Sequence, residues 1–327
     1  MARSLSCVVA IAAFGFAAPA LAADYEMYPE LRPSYPDSWE NGEDNPLRFE
    51  AGLRYWYSWG NQSMSFAPTT LETEDQTHML EVHAKVEDLG TQTYVKTQAG
   101  LGINTTGEYT MSPAGVAEIG ENSVIGHVGG DFGWLPWGQM KGGVAAGALV
   151  GYQYWQDSPD LGRGNFVTGV SGGVPTGYDS APGELNINAL RLGVKAQADF
   201  DMFDIQAEVA AVPYAYIAGV LGAHELDGVP IAPDTLLYKS SSTSLSGHGY
   251  GAMGELMVGF HPTENLTLRI GGRAWYIEGA LDATFDSYTV TDDGVNPPTT
   301  SQQSFIQTSE WASILRYGAL FELTGRF

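Results

Sequence analysis

The chain has 327 residues, including 41 Gly, 17 Tyr, 13 Phe and 8 Trp, with 15 Lys plus Arg against 38 Asp plus Glu and a formal net charge of −23. That balance repels nucleic acid and phosphate-rich lipid, which sets aside a nucleic-acid role. Abundant glycine and aromatics with few bases suit many tightly turned strands better than an α/β enzyme, and nothing after the first 22 residues approaches the roughly 18 uninterrupted apolar residues of a membrane helix.

Residues 1–22, MARSLSCVVAIAAFGFAAPALA, combine a basic start at Arg3, an apolar run from Leu5 to Ala18, Pro19 and Ala20-Leu21-Ala22. This is the pattern of a secretory signal peptide cut after Ala22. The only cysteine, Cys7, lies within it, so the mature chain has no disulfide and no cysteine-based metal site. Residues 23–46, with Pro29, Pro33, Pro36 and Pro46 among seven acids and one base, read as an acidic, proline-rich periplasmic stub that builds no core.

From Leu47 a period of two begins. LRFEAGLRYWYSW puts Phe49, Ala51, Leu53, Tyr55 and Tyr57 on one face and Arg48, Glu50, Arg54 and Trp56 on the other. The same alternation predicts nine further strands, at about 78–87, 91–103, 124–134, 140–155, 187–200, 205–219, 249–261, 265–279 and 310–327. Short connectors at 88–90, 135–138, 201–204 and 262–264 alternate with long ones at about 60–77, 104–123, 156–186, 220–248 and 280–309. The expected fold over 47–327 is all-β: a transmembrane antiparallel up-and-down β-barrel of ten strands, with eight or twelve as alternatives, short periplasmic turns and long extracellular loops. Tyr55, Tyr57, Trp59, Tyr152, Tyr154, Tyr214, Tyr216 and Tyr276 fall near long connectors and Trp134 and Trp137 beside a short one, which predicts two aromatic girdles.

Parity also sorts the charges. With the apolar face outward, the inward positions carry Arg48, Arg54, Lys85, Lys96, Lys141, Arg191, Lys195, Arg269, Arg273, Arg316 and Arg326. They are faced by Glu50, Glu81, Glu87, Asp131, Asp199, Glu208, Glu255 and Glu322, with His83 and His127 among them. A ten-stranded barrel is little wider than one that side chains fill, and buried charges persist only when paired. The set therefore predicts an ion-paired network bracing a plugged or narrow lumen. The alternative is a small pore with a mildly cationic constriction, which prefers anions.

The last strand places Tyr317, Phe321, Leu323 and Phe327 on its apolar face and Arg316, Glu322 and Arg326 on the other. It resembles the terminal assembly signal of bacterial outer-membrane proteins, which the barrel assembly machinery recognises in that family. The opening ADYE and the strand FEAGLRYWYSWG look like the alphaproteobacterial surface-antigen members of the compact, porin-like surface barrels of Gram-negative bacteria. The resemblance implies a protein of the cell outer membrane, set among its lipid and lipopolysaccharide, that stiffens the envelope or contacts the environment through an extracellular ligand of unknown identity.

No constellation compels catalysis. The strand count is similar to that of the omptin proteases, and the matching rim candidates are Glu72, Glu74 and Asp75 with His224, Glu225 and Asp227, but no omptin motif surrounds them. Ser244, Ser246, His248 and Asp227 supply hydrolase residue types without a nucleophile elbow, and Asp292-Asp293-Gly294 lacks the spacing of a calcium loop. The sequence thus reads as a non-enzymatic structural or surface-interaction barrel without cofactor or metal. A small diffusion channel and an omptin-like or lipid-modifying rim enzyme are the alternatives.

Overall fold

A computed structural model describes residues 46–327, apart from 67–68, 113–114, 162, 172–173, 222–228, 293 and 295–297. The expected signal peptide and all but the last residue of the expected stub lie outside the described residues, as do His224, Glu225 and Asp227 of the rim candidates. The described chain runs through β1 (Leu47–Phe66), β2 (Thr69–Asp88), β3 (Thr93–Ser112), β4 (Gly115–Glu118), β5 (Gly120–Gly138), β6 (Val144–Asp160), β7 (Arg163–Ser171) and β8 (Val174–Pro182). It continues through β9 (Glu184–Asp199), β10 (Phe203–Leu221), β11 (Val229–Ala232), β12 (Thr235–Lys239), β13 (Thr243–Thr263), β14 (Leu266–Thr291) and β15 (Thr299–Arg326).

Ten of these form a closed antiparallel ring in the order β1-β2-β3-β5-β6-β9-β10-β13-β14-β15. Pairing of β15 with β1, from Arg326↔Glu50 to Ala312↔Met64, shuts it, and Phe327 exchanges backbone hydrogen bonds of 2.9 and 3.1 Å with Phe49. Closure removes the unpaired edges that an open sheet would expose. Four tight turns, Pro46 as the first described residue and Phe327 share one rim, here the lower rim. At the turn between β5 and β6 the chain needs Gly138: its φ is +94°, and a Cβ there would sit 1.8 Å from the Val144 carbonyl oxygen.

The exterior is apolar around the middle. Leu53, Leu80, Val82, Val95, Leu101, Phe132, Val150, Leu192, Val194, Val209, Leu256, Val258, Leu268, Ile270 and Phe321 are all exposed. Trp134, Trp137, Phe203 and Phe327 edge this band below, and Tyr152, Tyr214, Tyr216, Tyr250, Tyr276 and Tyr317 edge it above. Such a belt is an unstable surface in water and the surface that a barrel turns to lipid.

The segments read as long loops are largely strand. β1 and β2 pair from Leu47↔Asp88 to Phe66↔Thr69, so 60–66 and 69–77 continue the two strands as a paired ladder. β14 and β15 stay paired out to Thr291↔Thr299, β4 folds back on β3, and the pairs β7–β8 and β11–β12 occupy the other two connectors. Above the apolar band the outer face of a strand is no longer apolar and the inner face mixes apolar with polar residues, as at Leu71, Thr73 and Asp75 of β2, so the period of two that marks a strand in sequence weakens while the ladder continues.

Candidate functional site

The chemistry concentrates inside the ring. Sixteen of the predicted interior residues are buried there: Glu50, Arg54, Glu81, His83, Lys85, Glu87, Lys96, His127, Asp131, Arg191, Lys195, Glu208, Arg269, Arg273, Arg316 and Glu322. Arg48 and Glu255 are slightly more open, with 17% and 13% of their side-chain surface exposed. Lys141 is different. It lies exposed in the 139–143 turn below the wall, because the first strand residue of β6 is Val144 and parity cannot be extended into the turn. Tyr317, Phe321, Leu323 and Phe327 of the terminal strand point outward.

Near the lower rim, Arg269 bonds Asp204 at 2.9 Å and Glu322 at 2.5 Å, while Arg326 bonds Glu50 at 3.0 Å. Arg48 and Lys85 both clasp Glu87, and His261 lies 3.1 Å from Asp204. One layer up, Arg54 clasps Glu322 and stands 3.5 Å from Glu255, and Arg273 bridges Glu81 at 2.6 Å and Glu255 at 2.7 Å. Arg191 bonds Asp131 at 2.8 Å and also clasps Glu208. Lys195 instead places its ammonium 4.5 Å from the centre of the Tyr94 ring, which in turn lies across Gly133, where a Cβ would be 2.0 Å from a ring carbon.

An aromatic layer covers this network. Arg273 sits 5.0 Å from the ring centre of Trp56, which meets Trp155 edge-on at 5.7 Å. Trp155 stacks on Trp275 at 4.6 Å and 26° and lies 4.4 Å from His127. Still higher, Arg316 is fully buried and forks between two carboxylates, reaching Asp75 at 2.8 and 2.9 Å and Asp157 at 2.8 and 3.0 Å. Gln62 donates to Asp157 at 3.0 Å, and Ser58 accepts from Arg316 at 3.1 Å. Met64, Leu71, Leu185, Ile217, Leu245, Leu281 and Ile314 fill the space beyond. A cavity in the lumen, bordered by Gln98, Gln153, Met253 and Trp275, measures about 20 Å³, room for one water molecule.

Sequence parity missed four members of this interior. Asp75, one of the rim candidates with Glu72 and Glu74, faces inward to Arg316 while those two face out. Asp157 and Asp204 lie at strand ends read as connector, and His261 is the last residue of the predicted 249–261 strand. Extending the odd-numbered inward set of β2 and β6 by a few residues finds Asp75 and Asp157 at once. Of the catalytic candidates, His248 packs on the outer wall against Tyr214 and Tyr216, with ring centres 5.3 and 5.7 Å away. Among the described residues no group of three or more His, Cys, Asp or Glu is arranged to hold a metal ion.

No family model matches the sequence, and no curated protein matches it. Solved structures do. The outer membrane protease OmpT from Escherichia coli superposes with a TM-score of 0.54 at 8% identity, covering 89% of this chain and 100% of that one. That likeness is one of fold. The translocator domain of the autotransporter NalP from Neisseria meningitidis matches at a TM-score of 0.36 and 12% identity, covering 88% of this chain and 90% of that one. The toluene transporter TbuX from Ralstonia pickettii matches at 0.27 and 9%, covering 86% and 90%.

Proposed function

We propose that this protein is an outer-membrane barrel whose closed, ion-paired lumen makes it a structural and surface-contact element, neither a diffusion channel nor an enzyme. The observation that carries the reading is the filled interior: charged layers below and above an indole layer, with a cavity of about 20 Å³ beside the indoles. A ten-stranded ring is narrow enough for side chains to fill it, and conduction needs a continuous wet path. The outward apolar belt between two aromatic girdles supports the location, with lipid and lipopolysaccharide as neighbours and the barrel assembly machinery as the inserting partner. The surface-antigen likeness of the first strand fits the same reading.

Refolded protein in a planar bilayer tests it. The expected record shows no discrete conductance steps at low or high salt, from protein whose folded state is verified by its heat-dependent gel mobility. Reproducible steps with anion preference would replace this reading with a pore lined by the inward arginines.

A further inference from the structure

Outside the lumen, directly above the upper aromatic girdle, the wall carries an open groove of about 1040 Å³. It forms where two neighbouring strands part. β3 pairs with β5 only as far as Leu101↔Gly126, and higher up it pairs with β4 from Glu108↔Glu118 to Met111↔Gly115. The intervening stretch of β3, the outer face of β1 and β2, and residues 118–123 line the gap. Trp59 and Tyr317, stacked at 5.7 Å and 26°, form one end of it.

Four polar side chains of the groove are uncommitted. Asn61, Asn104, Glu74 and Glu108 are exposed and make no side-chain hydrogen bond among the described residues, and no Lys or Arg lines the groove. Each ligand class meets this lining differently. Anions meet carboxylates with no compensating base. Apolar molecules would desolvate amides and carboxylates without replacing their hydrogen bonds. Polyamines only donate, which leaves the amide N–H groups of Asn61 and Asn104 unmatched. A saccharide answers both needs, because each hydroxyl donates to a carboxylate and accepts from an amide, while the C–H face of the ring packs on an aromatic side chain.

We propose that this groove binds uncharged sugar residues of an oligosaccharide, with Asn61, Asn104, Glu74 and Glu108 as the hydrogen-bonding set and Trp59 with Tyr317 as the apolar contact. Two sources carry that chemistry at this height: the core sugars of surrounding lipopolysaccharide and a free glycan from outside. The first source rests on the outer-membrane reading above; neither rests on a closed lumen, so a conducting barrel that binds sugar would overturn that reading and leave this one standing.

The test is titration calorimetry of the mature protein in detergent micelles with three probes: dephosphorylated, lipid-free core oligosaccharide, maltohexaose and spermine. Saccharide binding weakened at least tenfold, about 1.4 kcal/mol, by Asn61→Ala with Asn104→Ala supports the proposal, provided that the variant keeps its folded gel mobility. Binding of the core oligosaccharide alone assigns the membrane source, and binding of maltohexaose assigns a free glycan. Failure of both sugars, binding that survives the double substitution, or binding of spermine in their place overturns it. Glu74→Gln is the second variant, expected to weaken sugar binding while keeping the side-chain shape.

Discussion

Arg316 holds two carboxylates at once, and all three groups are withdrawn from solvent. A buried pair contributes little net stability against an apolar replacement, whereas removing one partner strands the other's charge. Arg316→Ala strands two. The expected cost is about 3–5 kcal/mol, read as a lowered urea midpoint for unfolding from lipid vesicles. Asp75→Asn leaves Asp157 in place to balance the guanidinium and should cost clearly less. Equal losses in the two variants would mean that Asp75 and Asp157 do not share the arginine as the distances indicate.

At the scale of elements, strand number and facing were legible because the apolar band imposes a period of two on each strand as it crosses that band. Arg54, Glu81, Arg191 and Arg273 face inward on that rule alone. The rule fails at both margins. Lys141 continues the alternation of β6 in sequence but occupies a turn, and Asp75 and Asp157 stand above the band, where polar residues on both faces hide the alternation. Strand pairing above the band, such as Tyr288↔Gln302, rests on Thr, Ser and Gln runs that resemble loops in composition. The hairpin β11–β12 belongs to this upper region, paired to β14 through Lys239↔Ser287. Burial pulls the Lys239 ammonium down from 10.5 to about 8, although it donates to Thr243 at 2.6 Å and lies 5.3 Å from the Phe285 ring centre. Between those two values the unfolded segment binds more protons than the folded one, so stability rises with pH across that window. Hydrogen exchange of β12 amides, corrected for intrinsic rate, should therefore slow as pH rises from about 8 to about 10. Lys239→Met should abolish the dependence; an unchanged slope in that variant would place its origin elsewhere.

Across the whole molecule, the lumen is shut twice, by the ion-paired layers around Arg273 and Arg269 and again by the indoles above them. The two seals draw on different forces, one electrostatic and one from aromatic packing. Replacing Trp56, Trp155 and Trp275 together by alanine opens a large cavity and should lower stability strongly, yet the charged layers beneath remain, and a planar bilayer should still show no steps. Conduction by the triple variant would assign closure to the indoles alone. Such independence agrees with the surface role proposed above, with the groove beside Trp59 on the outer wall.

The stacked pair of Trp155 and Trp275, 4.6 Å apart, also makes the closed lumen optically readable. Two nearly parallel indoles at that separation couple their electronic transitions and split the circular-dichroism band that isolated indoles give. Trp134 and Trp137, exposed on the outer wall at the lower girdle, would be open in a bilayer to quenching by brominated acyl chains, while the inner pair would lie beyond their reach. A single sample thus carries two colours of information, the couplet following assembly of the interior and the quenchable emission following insertion, so that the order of the two events during folding can be timed directly.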